Sequence, residues 1–153
     1  MSELRAFLEN HLATIFDGDI DAYHRSTTED LTIYEWHVTP HRIDGLPFHD
    51  FMLAESANEE SATMALDPNP GERRGSGPGR SRFDLANYKE QRYGDCAVCS
   101  YTMLISQATD RGVRVLSYNE SRVLVRLDGD WRVVHVHKSP AWAAPFQPPQ
   151  ASA

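Results

Sequence analysis

The chain has 153 residues, of which 41% are hydrophobic and 24% are charged, and its formal net charge at pH 7 is −7. A domain of this length buries a hydrophobic core without disulfides or metals, and the acidic balance disfavours nucleic acids and anionic membranes as partners. No apolar run approaches the roughly 20 residues that span a bilayer, and the N-terminus does not resemble a signal peptide, so we expect a cytoplasmic location.

The N-terminal part of the chain predicts two amphipathic helices. Hydrophobic residues recur at helical spacing from Leu4 to Phe16, Ser2 is placed to cap the first turn, and Asp17-Gly18 ends the helix. A short second helix is predicted from Asp19 to Arg25, with Asp19 as its N-cap. Two residues of this second helix are expected to face inward: Ile20 and Tyr23.

A strand and a third helix follow. β-Branched and aromatic residues predict the strand from Leu31 to Trp36. Asp44-Gly45 then turns the chain, and Pro47 suits the first turn of a helix that runs to about Ala57. One face of this helix carries its large hydrophobic residues: Phe48, Phe51 and Met52.

The segment 67–82 is rich in glycine, proline and arginine and has no periodicity. A phosphate-binding loop requires a strand before it and a helix after it, which this segment lacks, so we predict a long flexible surface loop. Four strands are expected after it, over residues 83–92, 96–108, 113–127 and 131–139. A single folded domain is thus assigned to residues 1–139, and residues 140–153 to a Pro-rich peripheral tail.

The two cysteines form a Cys-Ala-Val-Cys motif at Cys96 and Cys99. No second pair of thiols exists to complete a four-ligand zinc site, and a spacing of three in a strand places the side chains on opposite faces. We interpret both as small hydrophobic residues and expect neither a metal nor a cofactor.

The last two strands form a predicted β-hairpin with an unusual set of side chains. Asp128-Gly129 suits the positive φ angles of a tight type I′ turn. The hairpin also holds more cationic or protonatable groups than most strands of a small domain, which suggests that something polar or anionic is bound there. These groups are Arg122, His135, His137 and Lys138.

Helices followed by a run of long antiparallel strands predict an α+β fold, in which the helices pack on one face of a curved sheet. A sheet bent into a cone leaves a pocket between its concave face and the helices, and such a pocket is the expected binding site.

The chain resembles the association (hub) domain of calcium/calmodulin-dependent protein kinase II, within the nuclear transport factor 2-like superfamily that also holds ketosteroid isomerase and the SnoaL-like cyclases. The Gly-Asp-x-x-Ala-Tyr motif at Gly18–Tyr23 is shared across the superfamily and is weak. The specific part is the combination Glu-x-Arg-Val, Asp-Gly-x-Trp and Val-His-x-His-x-Ser. The stretches that carry it are Leu31–Glu35, Phe48-His49, Arg122-Val123, Asp128–Trp131 and Val134–Ser139.

This resemblance implies a cone-shaped antiparallel α+β roll that assembles into a homo-oligomer, as a dimer or a larger ring, with a polar pocket that accepts small carboxylates. The pocket histidine would be His49, and the basic residues would be Arg122 and Lys138. The strand around Thr102 departs from the pattern, because the hub domain of the kinase carries a further pocket arginine there. The chain has no kinase motifs, so it would be a stand-alone hub without kinase activity.

Two side-chain groups need a structural explanation of their own. A buried Arg122 requires an acid or a bound anion, and Glu35 and Glu120 are the available acids, so a structural ion pair and a ligand-binding role both remain open. His135 and His137 share one face of the last strand, opposite to Lys138. Two histidines on one face could ligate a metal, but no third in-register ligand is identifiable. The resemblance to the hub domain implies that this face meets a neighbouring subunit, and we favour that interfacial role over a metal site.

An enzyme in the same pocket is the alternative to a binding hub. Related folds run isomerisation, cyclisation and dehydration with a carboxylate or histidine base and an oxyanion donor. Burial would raise the pKa of Glu35 toward neutrality and make it such a base, with His49 as the other candidate. The oxyanion or ligand contacts would come from three residues: Tyr34, Tyr118 and Arg122.

Overall fold

A computed structural model describes residues 1–58 and 81–147 of the chain. Its elements in chain order are α1 (Glu3–Asp17), α2 (Ile20–Arg25), β1 (Thr27–Glu35), β2 (Ile43–Asp44), α3 (Leu46–Asn58), β3 (Ser81–Tyr93), β4 (Cys96–Thr109), β5 (Gly112–Leu127) and β6 (Asp130–Pro140). The predicted loop lies outside the described residues except for its last two positions, which begin β3. The last six residues of the predicted tail also lie outside them.

The six strands form one sheet in the order β2-β1-β6-β5-β4-β3. Neighbouring strands are antiparallel with one exception, since β1 and β6 run parallel. The α+β fold with N-terminal helices on a curved sheet is therefore confirmed. The sequence predicted an antiparallel sheet, so the parallel pairing of β1 with β6 was not expected.

The caps of the first two helices match their sequence signals. The Ser2 hydroxyl accepts a hydrogen bond from the Arg5 amide at 3.1 Å, and the Asp19 carboxylate accepts one from the Ala22 amide at 3.0 Å. Gly18 ends α1 with a φ of 67°, a left-handed conformation that glycine adopts without strain. No helix in the described part of the chain is long and apolar enough to cross a membrane.

The β5–β6 hairpin turns through two residues with positive φ, 52° at Asp128 and 88° at Gly129. Leu127 pairs with Asp130 on either side of these residues, so the connection is a two-residue turn. Positive φ at both central positions is the conformation of a type I′ turn, and the predicted hairpin is confirmed.

The sheet has an inner face packed against the helices and an outer face turned away from them. Along β4, buried residues such as Ala97, Cys99 and Tyr101 alternate with less buried ones, as expected for a sheet covered on one side. Helix α1 crosses the inner face, where Phe16 stacks on Phe83 with ring centroids 4.9 Å apart. The core therefore lies between the sheet and the helices.

Helix α3 presents a different face to the core than its hydrophobic pattern predicts. Phe48 and Phe51 are 44% and 58% exposed, while Leu46, His49 and Leu53 are buried. The buried residues are spaced three and four apart, which is the periodicity of one helical face. The hydrophobic face of α3 is thus exposed at the two phenylalanines, and the side chain of Met52 lies outside the described residues.

A β-bulge in β6 sets the direction of its last side chains. Val123 pairs with His135 but the next residue, Leu124, pairs with Val133, so β6 contains one extra residue between them. Simple alternation from the buried Val133 would turn His135 inward. The bulge instead buries Val136, turns Lys138 inward and leaves the two histidines of the strand on the outer face.

Candidate functional site

Arg122 is fully buried on the inner face of β5, with 1% of its surface exposed. Its Nε donates to Tyr101 Oη at 2.8 Å, and its Nη2 donates to Glu120 Oε2 at 3.2 Å. Its Nη1 lies 3.0 Å from His11 Nε2. The acid that neutralises the guanidinium is therefore Glu120 rather than Glu35.

The residues around Arg122 form a closed hydrogen-bond network. Tyr101 Oη donates to Glu120 Oε2 at 2.7 Å and accepts from the guanidinium, so its hydroxyl has two partners. Burial raises the pKa of Glu120, but the charges of Arg122 and Lys138 and the hydrogen bonds from Tyr101 and Arg122 together outweigh this effect, and the pKa lies below its usual value. Glu120 is ionised at neutral pH and compensates the buried cation.

The tautomer of His11 follows from its two neighbours. Arg122 can only donate, so His11 Nε2 accepts and the proton lies on Nδ1, which is 2.8 Å from Ser26 Oγ. Ser26 Oγ donates in turn to the Tyr23 carbonyl, which leaves it free to accept from His11. Burial, followed by the charge of Arg122, lowers the pKa of His11. This histidine is a satisfied, neutral core residue on the apolar face of α1.

A second ion pair joins β1 to β6. Glu35 and Lys138 are register neighbours in the parallel pair, and Lys138 Nζ lies 2.5 Å from Glu35 Oε1. Burial raises the pKa of Glu35, but the charge and hydrogen bond of Lys138 prevail and lower it to about 2. The expectation that burial makes Glu35 a base near neutrality is wrong, because a carboxylate with so low a pKa accepts protons poorly.

The side chains of His49 and Tyr23 lie together under the sheet. Their ring centroids are 4.8 Å apart, and the two residues are 5% and 0% exposed. Neither His49 Nδ1 nor Tyr23 Oη has a hydrogen-bond partner among the described residues. Burial lowers the pKa of His49 to about 4, so its imidazole is neutral at pH 7. Two unsatisfied polar atoms in one buried region are unusual, because each costs free energy unless something binds it.

The other candidate residues divide between the two faces of the sheet. Tyr118 lies on the inner face, with its ring 5.5 Å from that of Trp36. Tyr34 lies on the outer face, 36% exposed, with its ring 5.1 Å from that of His137. Grouping Tyr34 with the inner residues is therefore wrong, because adjacent strand residues point to opposite faces and Glu35 takes the inner one.

Strand β4 departs from the family pattern at Thr102, and its side chains point alternately to the inner and outer faces of the sheet. Thr102 faces outward, where its hydroxyl donates to Asn119 Oδ1 at 2.9 Å. The inner positions on either side of it are Tyr101 and Met103, both buried. At this level β4 contributes to the inner face one hydroxyl, already used by Arg122, and one apolar side chain.

Sequence reasoning did not assign Tyr23 or Tyr101 to the site. Tyr23 was expected to be a core residue, which it is by burial, but nothing in its spacing signals that its hydroxyl has no partner. Tyr101 lies opposite Glu120 in the β4–β5 register. That register, once known, would have identified it as a partner for the ion pair.

The outer face of the adjacent antiparallel strands β4 and β5 lacks charged side chains. The outward positions of β4 and β5 contain no Asp, Glu, Lys or Arg in a chain that is 24% charged. The neighbouring strand β6 adds Arg132, His135 and His137 to this face, and His135 Nδ1 lies 2.7 Å from Thr32 Oγ1 of β1. A solvated sheet face usually carries charged residues, so this composition indicates a covered surface.

The two buried tyrosines should respond in opposite ways to loss of their hydroxyls. Tyr101→Phe removes a group that bonds both Arg122 and Glu120, and it should lower the free energy of unfolding by about 2 kcal/mol. Tyr23→Phe removes an unsatisfied hydroxyl, and it should leave the free energy unchanged or raise it by up to about 1 kcal/mol. Urea denaturation at one protein concentration measures both. A loss at Tyr23→Phe as large as that at Tyr101→Phe would contradict this assignment.

Stability should fall as the pH is lowered below about 6.5, because burial depresses the pKa of His11, His37 and His49. The unfolded chain binds protons near the ordinary pKa of 6.5, whereas folded His49 does so only near pH 4. Stability is therefore complete above pH 6.5, and each such group loses up to about 1.4 kcal/mol per pH unit below it.

Urea denaturation at pH 7, 6 and 5 tests this pH dependence. His49→Gln should reduce the slope between pH 6 and 5, while His41→Gln, at an exposed position, should not. An unchanged slope in the His49 variant would show that His49 binds protons equally in the folded and unfolded proteins, so that burial does not lower its pKa.

Comparison with known proteins identifies the family. The model of the calcium/calmodulin-dependent protein kinase II association domain matches residues 1–69 and 75–142. The delta subunit of this kinase from Oryctolagus cuniculus is 25% identical over 152 residues, which cover 96% of this chain and 25% of the kinase subunit. The chain thus spans about a quarter of the length of that relative.

Solved structures agree with this match. The kinase II hub homology domain of Chlamydomonas reinhardtii superposes with a TM-score of 0.71 at 26% identity, covering 92% of this chain and 97% of that one. A putative ketosteroid isomerase of Shewanella frigidimarina has a TM-score of 0.61 at 18% identity, covering 88% and 92% of the two chains, and shares the fold alone. Proteins described as nuclear transport factor 2-like are also similar in fold. The chain belongs to the calcium/calmodulin-dependent protein kinase II association domain family.

Proposed function

We propose that the chain is a hub-like oligomerisation domain that self-associates through the outer face of its sheet and receives a small polar ligand at the inner polar cluster. The inner polar cluster consists of Tyr23, Glu35, His49, Arg122 and Lys138. The observation that carries the first part is the outer face without charged side chains on β4 and β5. Membership of the association domain family supports the same part.

Self-association is the simplest explanation for the composition of the outer face. Two copies related by a two-fold axis bring like residues together, and charged residues there would be desolvated without partners. Serine, threonine and valine side chains avoid this cost. Two exposed apolar residues of β5, Val113 and Val115, gain most from being covered, since they are 73% and 56% exposed. In this proposal His135 and His137 line the same interface.

Ligand binding is supported by the unsatisfied atoms of the inner polar cluster. His49 Nδ1 and Tyr23 Oη are buried without partners in the described part of the chain, and a ligand oxygen or nitrogen would remove that cost. The family resemblance points to small carboxylates as ligands of this region. Arg122 and Lys138 are the basic residues concerned, although each already contacts a glutamate.

A charge on the outer face should disrupt the oligomer. Ser121 lies on the outer face of β5, opposite His137 of β6. Ser121→Glu places a carboxylate near the middle of the proposed interface, where two copies repel each other and the charge is desolvated. We expect the apparent dissociation constant to rise at least tenfold, measured by light scattering over a dilution series.

The matched control is Ala54→Glu, which introduces the same charge at an exposed position of α3. It should leave the oligomer intact. A wild-type protein that is monomeric at micromolar concentration, or a Ser121→Glu variant that assembles like wild type, would rule out self-association through this face.

An isomerase or a related cofactor-free enzyme is the second candidate function. The observation that favours it is the neutral, buried imidazole of His49, whose Nδ1 is free of partners among the described residues and can accept a proton. Tyr23 would then supply the hydroxyl that stabilises a developing enolate oxygen. Glu35 does not suit the role of base, because Lys138 holds it ionised at a pKa of about 2.

Exchange of solvent deuterium into a panel of small ketones tests this chemistry without knowledge of the substrate. If His49 is a base, the protein should accelerate exchange next to the carbonyl, and His49→Gln should lower the rate at least a hundredfold. Glu35→Gln should retain the rate within about tenfold. Absence of acceleration over buffer across the panel would argue for a binding domain without proton-transfer chemistry.

A further inference from the structure

We infer that the outer face of the sheet is a pH-sensitive switch for self-association, which assembles while His135 and His137 are neutral and dissociates when they are protonated. This inference rests on the proposed self-association through that face and specifies how it is regulated. It stands on three features of the described residues. The two imidazoles are neighbours, the strand beside them contributes no charge, and the charges that act on His135 are positive.

The two imidazoles occupy neighbouring outward positions near the end of β6. His135 is half-buried and pairs with Val123 of β5, whereas His137 is exposed and pairs with Ser121. The Nδ1 atom of His135 lies 2.7 Å from Thr32 Oγ1 of β1. Because this contact anchors the ring to the neighbouring strand, a charge gained by His135 stays on the outer face.

The charged groups around the two histidines come from three sides. Strand β5 contributes only uncharged side chains to the outer face. Along β6, Arg132 adds a cation to the same face. On the other side, Arg42 donates two hydrogen bonds to the Asp44 carboxylate of β2, at 2.6 and 3.2 Å, and β1 carries the exposed acids Glu29 and Asp30 nearer its start.

The charges that act on His135 oppose its protonation. Burial, followed by the positive charges of His137 and Arg42, lowers the pKa of His135, and a hydrogen bond to β1 raises it by less. Of the remaining neighbours, Tyr34 places its ring 5.1 Å from that of His137, and Lys138 faces inward to its glutamate partner. Protonation of both histidines would therefore place two like charges side by side.

Assembly makes this protonation more costly. Two copies related by a two-fold axis both contribute the pair, so all of these imidazoles are removed from water in one interface. A protonated imidazole would lose its hydration there without meeting an acid on β4 or β5 of either copy. The assembled state thus binds protons more weakly than the monomer. By linkage, association is strongest above the ordinary histidine pKa of about 6.5 and weakens as the pH falls below it.

Light scattering over a dilution series at pH 7.5 and pH 5.5 tests the inference on the whole chain. EDTA is present throughout, so that no metal ion bridges the histidines. We expect the apparent dissociation constant to rise at least a hundredfold at the lower pH, because each histidine that must stay neutral contributes about tenfold at one pH unit below its pKa.

Two variants separate this effect from the loss of fold stability that the buried histidines cause at low pH. The double variant His135→Gln, His137→Gln keeps neutral polar side chains that do not titrate. Whatever its dissociation constant at pH 7.5, that constant should change less than about threefold at pH 5.5. The matched control His41→Gln, at an exposed position outside the strands, should keep the full pH dependence of the wild type.

The outcomes distinguish this inference from the proposal on which it rests. A wild-type dissociation constant that is equal at both pH values would overturn the switch and leave self-association intact. A double variant that keeps the wild-type pH dependence would do the same, because the effect would then come from other groups. A wild-type protein that is already monomeric at pH 7.5 would remove both self-association and the switch.

Discussion

The structure of this domain depends on the burial of a guanidinium group inside its sheet. Arg122 cannot lose its proton, so its charge must be balanced where it lies, and Glu120, Tyr101 and His11 together supply that balance. The same network links α1 to two central strands of the sheet. A buried ion pair of this kind contributes little net stability compared with apolar packing, but removing one partner is costly. Because removing a partner is costly, the network keeps Glu120, Tyr101 and His11 in place around Arg122.

The two faces of the sheet serve different proposed purposes, and both follow from how charge is distributed. The inner face concentrates charges but pairs each cation with a carboxylate of the same chain, leaving two neutral groups, on Tyr23 and His49, without partners. The outer face of β4 and β5 excludes charges altogether. This division is consistent with the proposed self-association through the outer face and with a small polar ligand at the inner face.

Sequence patterns predicted the helices, the four long strands and the hairpin turn, because these depend on local periodicity, caps and the Asp-Gly dipeptide. They failed where tertiary packing overrides periodicity. The phenylalanines of α3 form the obvious apolar stripe, yet the helix buries His49 instead. The bulge of β6 had no signal in the single sequence, although the predicted faces, with His135 and His137 opposite to Lys138, are the ones observed. The choice of Glu120 over Glu35 as partner of Arg122 likewise depends on register.

The central claim is that the inner polar cluster is electrically balanced by ion pairs within the chain. The titration of the Glu35 side-chain carboxyl, followed by its ¹³C resonance in the folded protein, tests this claim most directly. Contact with Lys138 predicts a pKa of about 2, so the resonance should not change between pH 7 and pH 4. A Glu35 carboxyl that titrates at or above the ordinary value of 4.5 would mean that Lys138 is free, and it would contradict the account.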